Sequence, residues 1–205
     1  MITEQMLLNL RDRISKILSA KRFNHTLGVE RAADFLAKRC LPEKVMQARA
    51  AALLHDVTKE LSQEEHIDII NRKGITLPDE ESKIPALLHA VTATVIIEEE
   101  FSEFASEEIL SAVAKHTTGD AYMTVLDKIV FLADFIEDSR IYPASKSTAV
   151  FVKSSMKTQN IKANLLALDR ACVMEIDSTV AHLERLGKKI NSKAVLARDA
   201  MISNI

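Results

Sequence analysis

Residues 42–60 read PEKVMQARAAALLHDVTKE. Pro42 suits the first turn of a helix, where its missing N–H costs nothing, and Val45, Ala48, Ala52 and His55 then share one stripe. At the inner end of that stripe His55 is followed directly by Asp56. The same three-and-four spacing of apolar residues recurs in both directions, and alternation with period two is almost absent. Towards the N-terminus, Leu7, Leu10, Ile14, Ile17 and Leu18 mark one amphipathic helix, and His25, Val29, Ala32 and Leu36 share a face of the next. Towards the C-terminus, Ser62 and Glu65 form a capping box whose helix stops at Gly74. Pro85 opens a helix carrying His89, and Ser106 caps one that aligns Ile109, Val113 and His116 before Thr117-Thr118-Gly119 breaks it. A further helix is predicted from about Thr124 to Glu137. The loop Asp138 to Pro143 follows, with room for a short helix after it. A long helix from Ile161 through Leu183 closes at Gly187, and the last begins near Ser192. The fold class is therefore all-α.

The composition agrees. Four glycines and four prolines in 205 residues are too few for the turns of a sandwich, barrel or propeller. No GxGxxG or GxxxxGK[ST] phosphate loop occurs, so phosphate chemistry would need metals or side chains. Lys plus Arg is 27 against 29 for Asp plus Glu, a net charge of -2. That balance offers no general attraction for nucleic acid or an acidic membrane. The longest apolar runs, Ala50 to Leu54 and Ile129 to Ala133, fall far short of the ~20 residues that span a bilayer. The N-terminus lacks a basic stretch ahead of an apolar one, so no signal peptide is expected. Cys40 and Cys172 lack CxxC spacing and read as small hydrophobes in a reducing compartment. A cytoplasmic protein is expected, and a homodimer is left open.

Chemistry is concentrated where the histidines fall. His25, His55, His89 and His116 lie at or near the inner or C-terminal ends of predicted helices, and Asp134 follows the apolar run Ile129-Val130-Phe131-Leu132-Ala133. A carboxylate after such a run is costly to bury unless a positive group meets it. Imidazoles with carboxylates suit iron, manganese, cobalt or zinc. His55 and Asp56 point about 100° apart on a helix, so they cannot bind side by side, but they can serve two ions if Asp56 uses its two oxygens as a bridge. One arrangement puts His25, His55 and Asp134 on one ion and His89 and His116 on a second, with Asp56 as the bridge. His66 and His182 fall on polar helical sectors and are not expected to be ligands. Glu137, one turn after Asp134, reads equally as a support for a ligand and as an exposed acid.

The strings RFNHTLGVERAA, LLHDVTKE, HAVTA, AKHTTGD and LADFIEDSR resemble the HD-domain metal-dependent phosphohydrolases, and more narrowly the YqeK family of symmetrical diadenosine tetraphosphate hydrolases. The resemblance runs from about Lys21 to Pro143. It implies an HD-type helical bundle over residues 1–205, with a core at about 20–143 and a C-terminal helical extension at about 146–205. It implies His25, His55, Asp56 and Asp134 as ligands of a first metal, with iron as the expected ion. His89 and His116 would complete a second site, or bind phosphate if one ion is present. Lys59 matches the basic residue near the phosphates, and Thr117, Thr118 and Arg140 match further substrate-binding positions. Arg22, inside the first string, joins them, with a surface position as the other reading for both arginines. The chain departs from the family at Asp138-Ser139, where a proline and a glycine are usual, and after His89, where Ala-Val replaces a glycine.

The function so implied is hydrolysis of a dinucleoside polyphosphate in the middle of its phosphate chain, giving two nucleoside diphosphates. Asp56 and Lys59 would be the catalytic pair, Asp56 orienting or deprotonating the nucleophile. The rival readings are an HD-type nucleotidase, a guanosine alarmone hydrolase, a metal-binding regulatory module with a protein or RNA partner, and a di-iron oxygenase. Phe23, Tyr122 and Tyr142 are the aromatic residues near the motifs that could stack on a base.

Overall fold

A computed structural model of the chain describes residues 1–78, 84–157 and 160–205. Among the described residues there are ten α-helices and no strand. They are α1 (Glu4–Ser15), α2 (Ala20–Cys40), α3 (Val45–Leu54), α4 (Gln63–Arg72), α5 (Pro85–Glu100), α6 (Glu107–Lys115), α7 (Val125–Ile136), α8 (Pro143–Ser155), α9 (Ile161–Arg185) and α10 (Ser192–Ile202). The expected all-α helical bundle is what the chain forms.

Local chemistry explains most of the boundaries. The Ser62 hydroxyl accepts from the Glu65 N–H while Glu65 reaches back to the Ser62 backbone, and Thr124 and Asp127 make a second capping box at the start of α7. Ser106 accepts from the Ile109 N–H, and Pro85 occupies the first turn of α5. Pro42 opens a single 3-10 turn, Pro42–Lys44, and α3 begins behind it. The three predicted stops, Gly74, Gly119 and Gly187, are the glycines with positive φ. The helix after the 138–143 loop, left open by the sequence, is a full 13 residues.

The predicted stripe on α3 is only part of what the helix buries: Ala48, Ala52 and His55 are buried as expected, and burial extends to the other faces. Ala48, Ala50, Ala51, Ala52, Leu53 and Leu54 are all fully buried while Val45 is half-exposed, because α1, α2, α6 and α7 close around the helix. Alanine-sized side chains let those neighbours approach, and the end of α3 is thereby carried into the middle of the bundle. α1 belongs to the same core through Leu7, Leu10 and Ile14. The C-terminal α9 packs against α2, α7, α8 and α10, with Leu168, Ala171, Cys172 and Ile176 buried. Cys40 and Cys172 are free and buried; burial pushes the Cys40 thiol up to about 12 and Cys172 upward as well.

His66 does not lie on a polar sector. It is buried, with Nδ1 2.8 Å from the Thr92 hydroxyl, because α5 packs over that side of α4. It remains outside the ligand cluster. No described helix is long and apolar enough to cross a membrane.

Candidate metal centre

Five elements deliver one cluster. His25 comes from the second turn of α2, His55 and Asp56 from the turn that ends α3, His89 from α5, His116 from the end of α6 and Asp134 from α7. His55, Asp56, His89 and His116 are at most 2% exposed and His25 is 8% exposed. His25 Nε2 lies 3.0 Å from Asp134 Oδ1 and 3.7 Å from Asp56 Oδ2. His55 Nε2 lies 3.3 Å from that same Asp56 oxygen. The other oxygen, Oδ1, faces His89 Nε2 at 3.3 Å and His116 Nε2 at 3.8 Å, and those two nitrogens are 3.0 Å apart. Asp56 thus presents one oxygen to each half of the cluster.

The outer ring nitrogens set the tautomers. His55 Nδ1 is 2.7 Å from the Ala52 carbonyl and His116 Nδ1 is 2.7 Å from the Val113 carbonyl. A carbonyl only accepts, so each Nδ1 carries the proton and each Nε2 turns a lone pair inward. His25 Nδ1 meets Glu137 Oε1 at 3.1 Å. His25 Nε2, His55 Nε2 and Asp56 Oδ1 are buried without a hydrogen-bond partner, although polar atoms in protein interiors are nearly always paired. A divalent cation is the partner that such inward lone pairs and carboxylate oxygens fit. Among the described residues, two candidate ligand groups have their donor atoms within 4.8 Å of one another: His25, His55 and Asp134, and His55, Asp56 and His116. His55 therefore faces both halves, where the sequence had assigned it to one.

The electrostatics favour charged acids and a neutral His89 around that centre. Burial alone would raise the carboxyl of Asp56, but His55, His116 and His89 hold it well below the usual range. Burial likewise opposes ionisation of Asp134, and the adjacent His25 ring and the Arg140 charge overcome it. Burial lowers His89 to about 4 and also lowers Lys59. At His25 burial is outweighed by Asp134 and Glu137, so its pKa is raised.

The positions anticipated for substrate surround the cluster. Lys59 Nζ is 3.0 Å from His89 Nε2 and 3.7 Å from Asp56 Oδ1. Arg22 is not a free surface arginine; its Nη1 is 2.9 Å from Asp56 Oδ2. Arg140 pairs through Nη2 with Asp134 Oδ1, and its Nε donates to the Asp134 carbonyl at 2.9 Å. The Thr117 hydroxyl lies 3.1 Å from His116 Nε2 and 3.3 Å from His89 Nε2. Thr118 is turned away, its hydroxyl donating to the Gly119 carbonyl. Of the three named aromatics, Tyr142 lines the site and is 60% exposed. Phe23 packs against the core, and Tyr122 lines a separate surface hollow.

Three residues at the site carry no clear signal in the sequence. Ser139 holds Glu137 through its N–H and hydroxyl, and Glu175 and His182 arrive from α9, more than 30 residues after Asp134. Only the turn-spaced Glu137 could be suspected from the chain itself.

A family model described as "HD domain" matches residues 22–137, a stretch that contains all six cluster residues. The chain belongs to the HD domain family. This HD-domain chain is a metal-dependent hydrolase, and the family implies a divalent metal. It is similar to the symmetrical bis(5'-nucleosyl)-tetraphosphatase of Bacillus subtilis (strain 168), at 27% identity over 93% of this chain and 94% of the relative. It is similar also to the protein of the same name from Halalkalibacterium halodurans, at 33% identity over 68% of this chain and 73% of that one. Among solved structures it matches that of a predicted HD superfamily hydrolase involved in NAD metabolism from Clostridium acetobutylicum. There the TM-score is 0.83 at 28% identity, with full coverage of both chains.

Proposed function

We propose that the HD-domain chain hydrolyses diadenosine tetraphosphate and related dinucleoside polyphosphates symmetrically, giving two nucleoside diphosphates. The relatives' names support this substrate class. The observation that carries it is the placement of two cavities. One, about 500 Å³, is lined by Lys21, Arg22, His25, Glu137 and Ser139; the other, about 580 Å³, by Lys59, His116, Thr117 and Asp134. Arg140 and Tyr142 line both. A substrate with a nucleoside at each end and four phosphates between them suits a metal centre with space on either side.

In this reading His25, His55, Asp56 and Asp134 hold one divalent ion, and His89 and His116 hold a second or bind phosphate. Iron is the proposed metal, with manganese, cobalt or zinc compatible with the same donors. The ion supplies Lewis-acid charge and makes hydroxide accessible near neutral pH. Asp56 orients the attacking water or takes its proton. The water oxygen bonds to one β-phosphorus and the bridging oxygen leaves with the other half. Lys59 and Arg140 offset the negative charge that develops on the phosphates, and Arg22 and Thr117 bind the flanking ones; Thr118, turned away from the cluster, has no part in this reading.

The domain division is part of the proposal: the core at about 20–143 carries the metal ligands, while the C-terminal helices at about 146–205 supply cavity wall through Glu175, Thr179 and His182. The buried free thiols support a reducing, cytoplasmic location.

The test supplies diadenosine tetraphosphate with ferrous iron, manganese, cobalt or zinc and resolves the nucleotides formed. ADP as sole product is expected. AMP with ATP, or no turnover with any of the four metals, overturns the reading; release of adenosine or pyrophosphate would favour a nucleotidase or an alarmone hydrolase. Asp56→Ala is expected to lose both metal retention and turnover.

A further inference from the structure

Glu175, on α9, is an acid that the metal centre does not use. It is 9% exposed, its Oε2 is buried without a hydrogen-bond partner, and it belongs to neither ligand group. It lines the cavity beside the metal centre and also a second one of about 570 Å³. Thr117 and Thr179 line both as well, so these three residues form the neck between the two spaces. The far cavity is largely apolar, with Leu87, Phe131, Ile176, Val180 and Leu183 in its wall.

We infer that Glu175 binds the ribose hydroxyls of one nucleoside half of the substrate, at the neck between a phosphate cavity and a base cavity. The inference rests on the proposed function. Phosphates belong with Lys59, Arg140 and Thr117 at the metal end, and a base belongs in an apolar slot. The sugar that joins them falls at the neck. A carboxyl group there can exchange hydrogen bonds with sugar hydroxyls. Because a hydroxyl both donates and accepts, it complements the carboxyl in either protonation state. Burial pushes the Glu175 carboxyl well above the ordinary range, as expected for an acid whose partner arrives with the ligand. Leaving such a group unpaired is costly, so binding a hydroxyl there gains affinity.

The experiment compares ADP with 2′,3′-dideoxy-ADP on the metal-loaded protein by calorimetry, for the wild type, Glu175→Gln and Glu175→Leu. The wild type is expected to bind ADP about tenfold more tightly, the worth of one or two hydrogen bonds to a buried acid. Glu175→Gln, which keeps an acceptor, should retain most of that preference. Glu175→Leu should lose it and melt at the same or a higher temperature, because an unpaired buried acid has been replaced by an apolar side chain of similar size. Equal binding of both nucleotides by the wild type, or an unchanged preference in Glu175→Leu, overturns the inference. A lower melting temperature in Glu175→Leu would assign the acid a structural role and overturn it too. Absence of symmetrical cleavage with an intact, Glu175-dependent preference would remove the proposed reaction and leave the ribose subsite standing. Symmetrical cleavage without the preference would remove only the subsite.

Discussion

Gly28 lies in the interior of α2, where glycine costs about 1 kcal/mol relative to alanine, and its neighbour explains why it is there. A Cβ at this position would stand 2.4 Å from Glu137 Oε2 and 3.3 Å from the Glu137 Cβ and Cδ. The bare backbone of α2 lets Glu137 reach His25 Nδ1 and orient the ring toward Asp134 and Asp56. Gly28→Ala should therefore improve helix propensity while displacing the carboxylate. Loss of a group that orients a metal-binding histidine typically weakens metal binding by about 10–100-fold. Competition with a chromophoric chelator measures this directly. Unchanged affinity in a folded Gly28→Ala protein would show that Glu137 does not position His25.

At the scale of the element, α3 distinguishes burial on one face from burial on all faces. Leu53 is fully buried, whereas Leu8 on α1 is 47% exposed. Leu53→Ala should destabilise by about 2–5 kcal/mol through the cavity it leaves, and Leu8→Ala by about 0.5 kcal/mol or less; urea unfolding checks both. Similar losses in the two variants would contradict the placement of α3 at the centre. The helix ends were legible because caps act locally: Ser62 with Glu65, Ser106 and Gly119 each signal over three or four residues. The surroundings of α3 were not, because an alanine-rich segment gives the same spacing whether one neighbour covers it or four. His66 was misplaced for the same reason, its burial depending on α5. The proposed metal ligands were legible as residue types, since histidines at helix ends and an acid after Ile129–Ala133 are unusual. The pairings of His25 with Glu137, 112 residues apart, and of the neck with Glu175 on α9 depend on tertiary packing and have no local signature.

Across the whole molecule, the proposed metal centre draws on α2, α5, α6, α7 and the turn after α3, so metal binding there would be coupled to folding. Metal that binds the folded chain at about 1,000 times its dissociation constant adds roughly 4 kcal/mol. For a chain of about 200 residues that raises the melting temperature by roughly 8–16 °C. The pH dependence follows from His25, whose pKa Asp134 and Glu137 hold above 6.5 despite burial. In the metal-free protein, a raised folded pKa contributes stability that is fully present below about 6.5 and is lost as pH rises through the raised value. In the loaded protein, His25 must be neutral to ligate, so metal affinity grows as the proton leaves. Both effects act in the same direction. The difference in melting temperature between loaded and chelated protein should widen from pH 6 to pH 8, which thermal scans of the two forms at each pH would measure. A difference that stays constant or narrows would show that His25 does not release its proton to the metal, and the first ligand group would then have to be built without it.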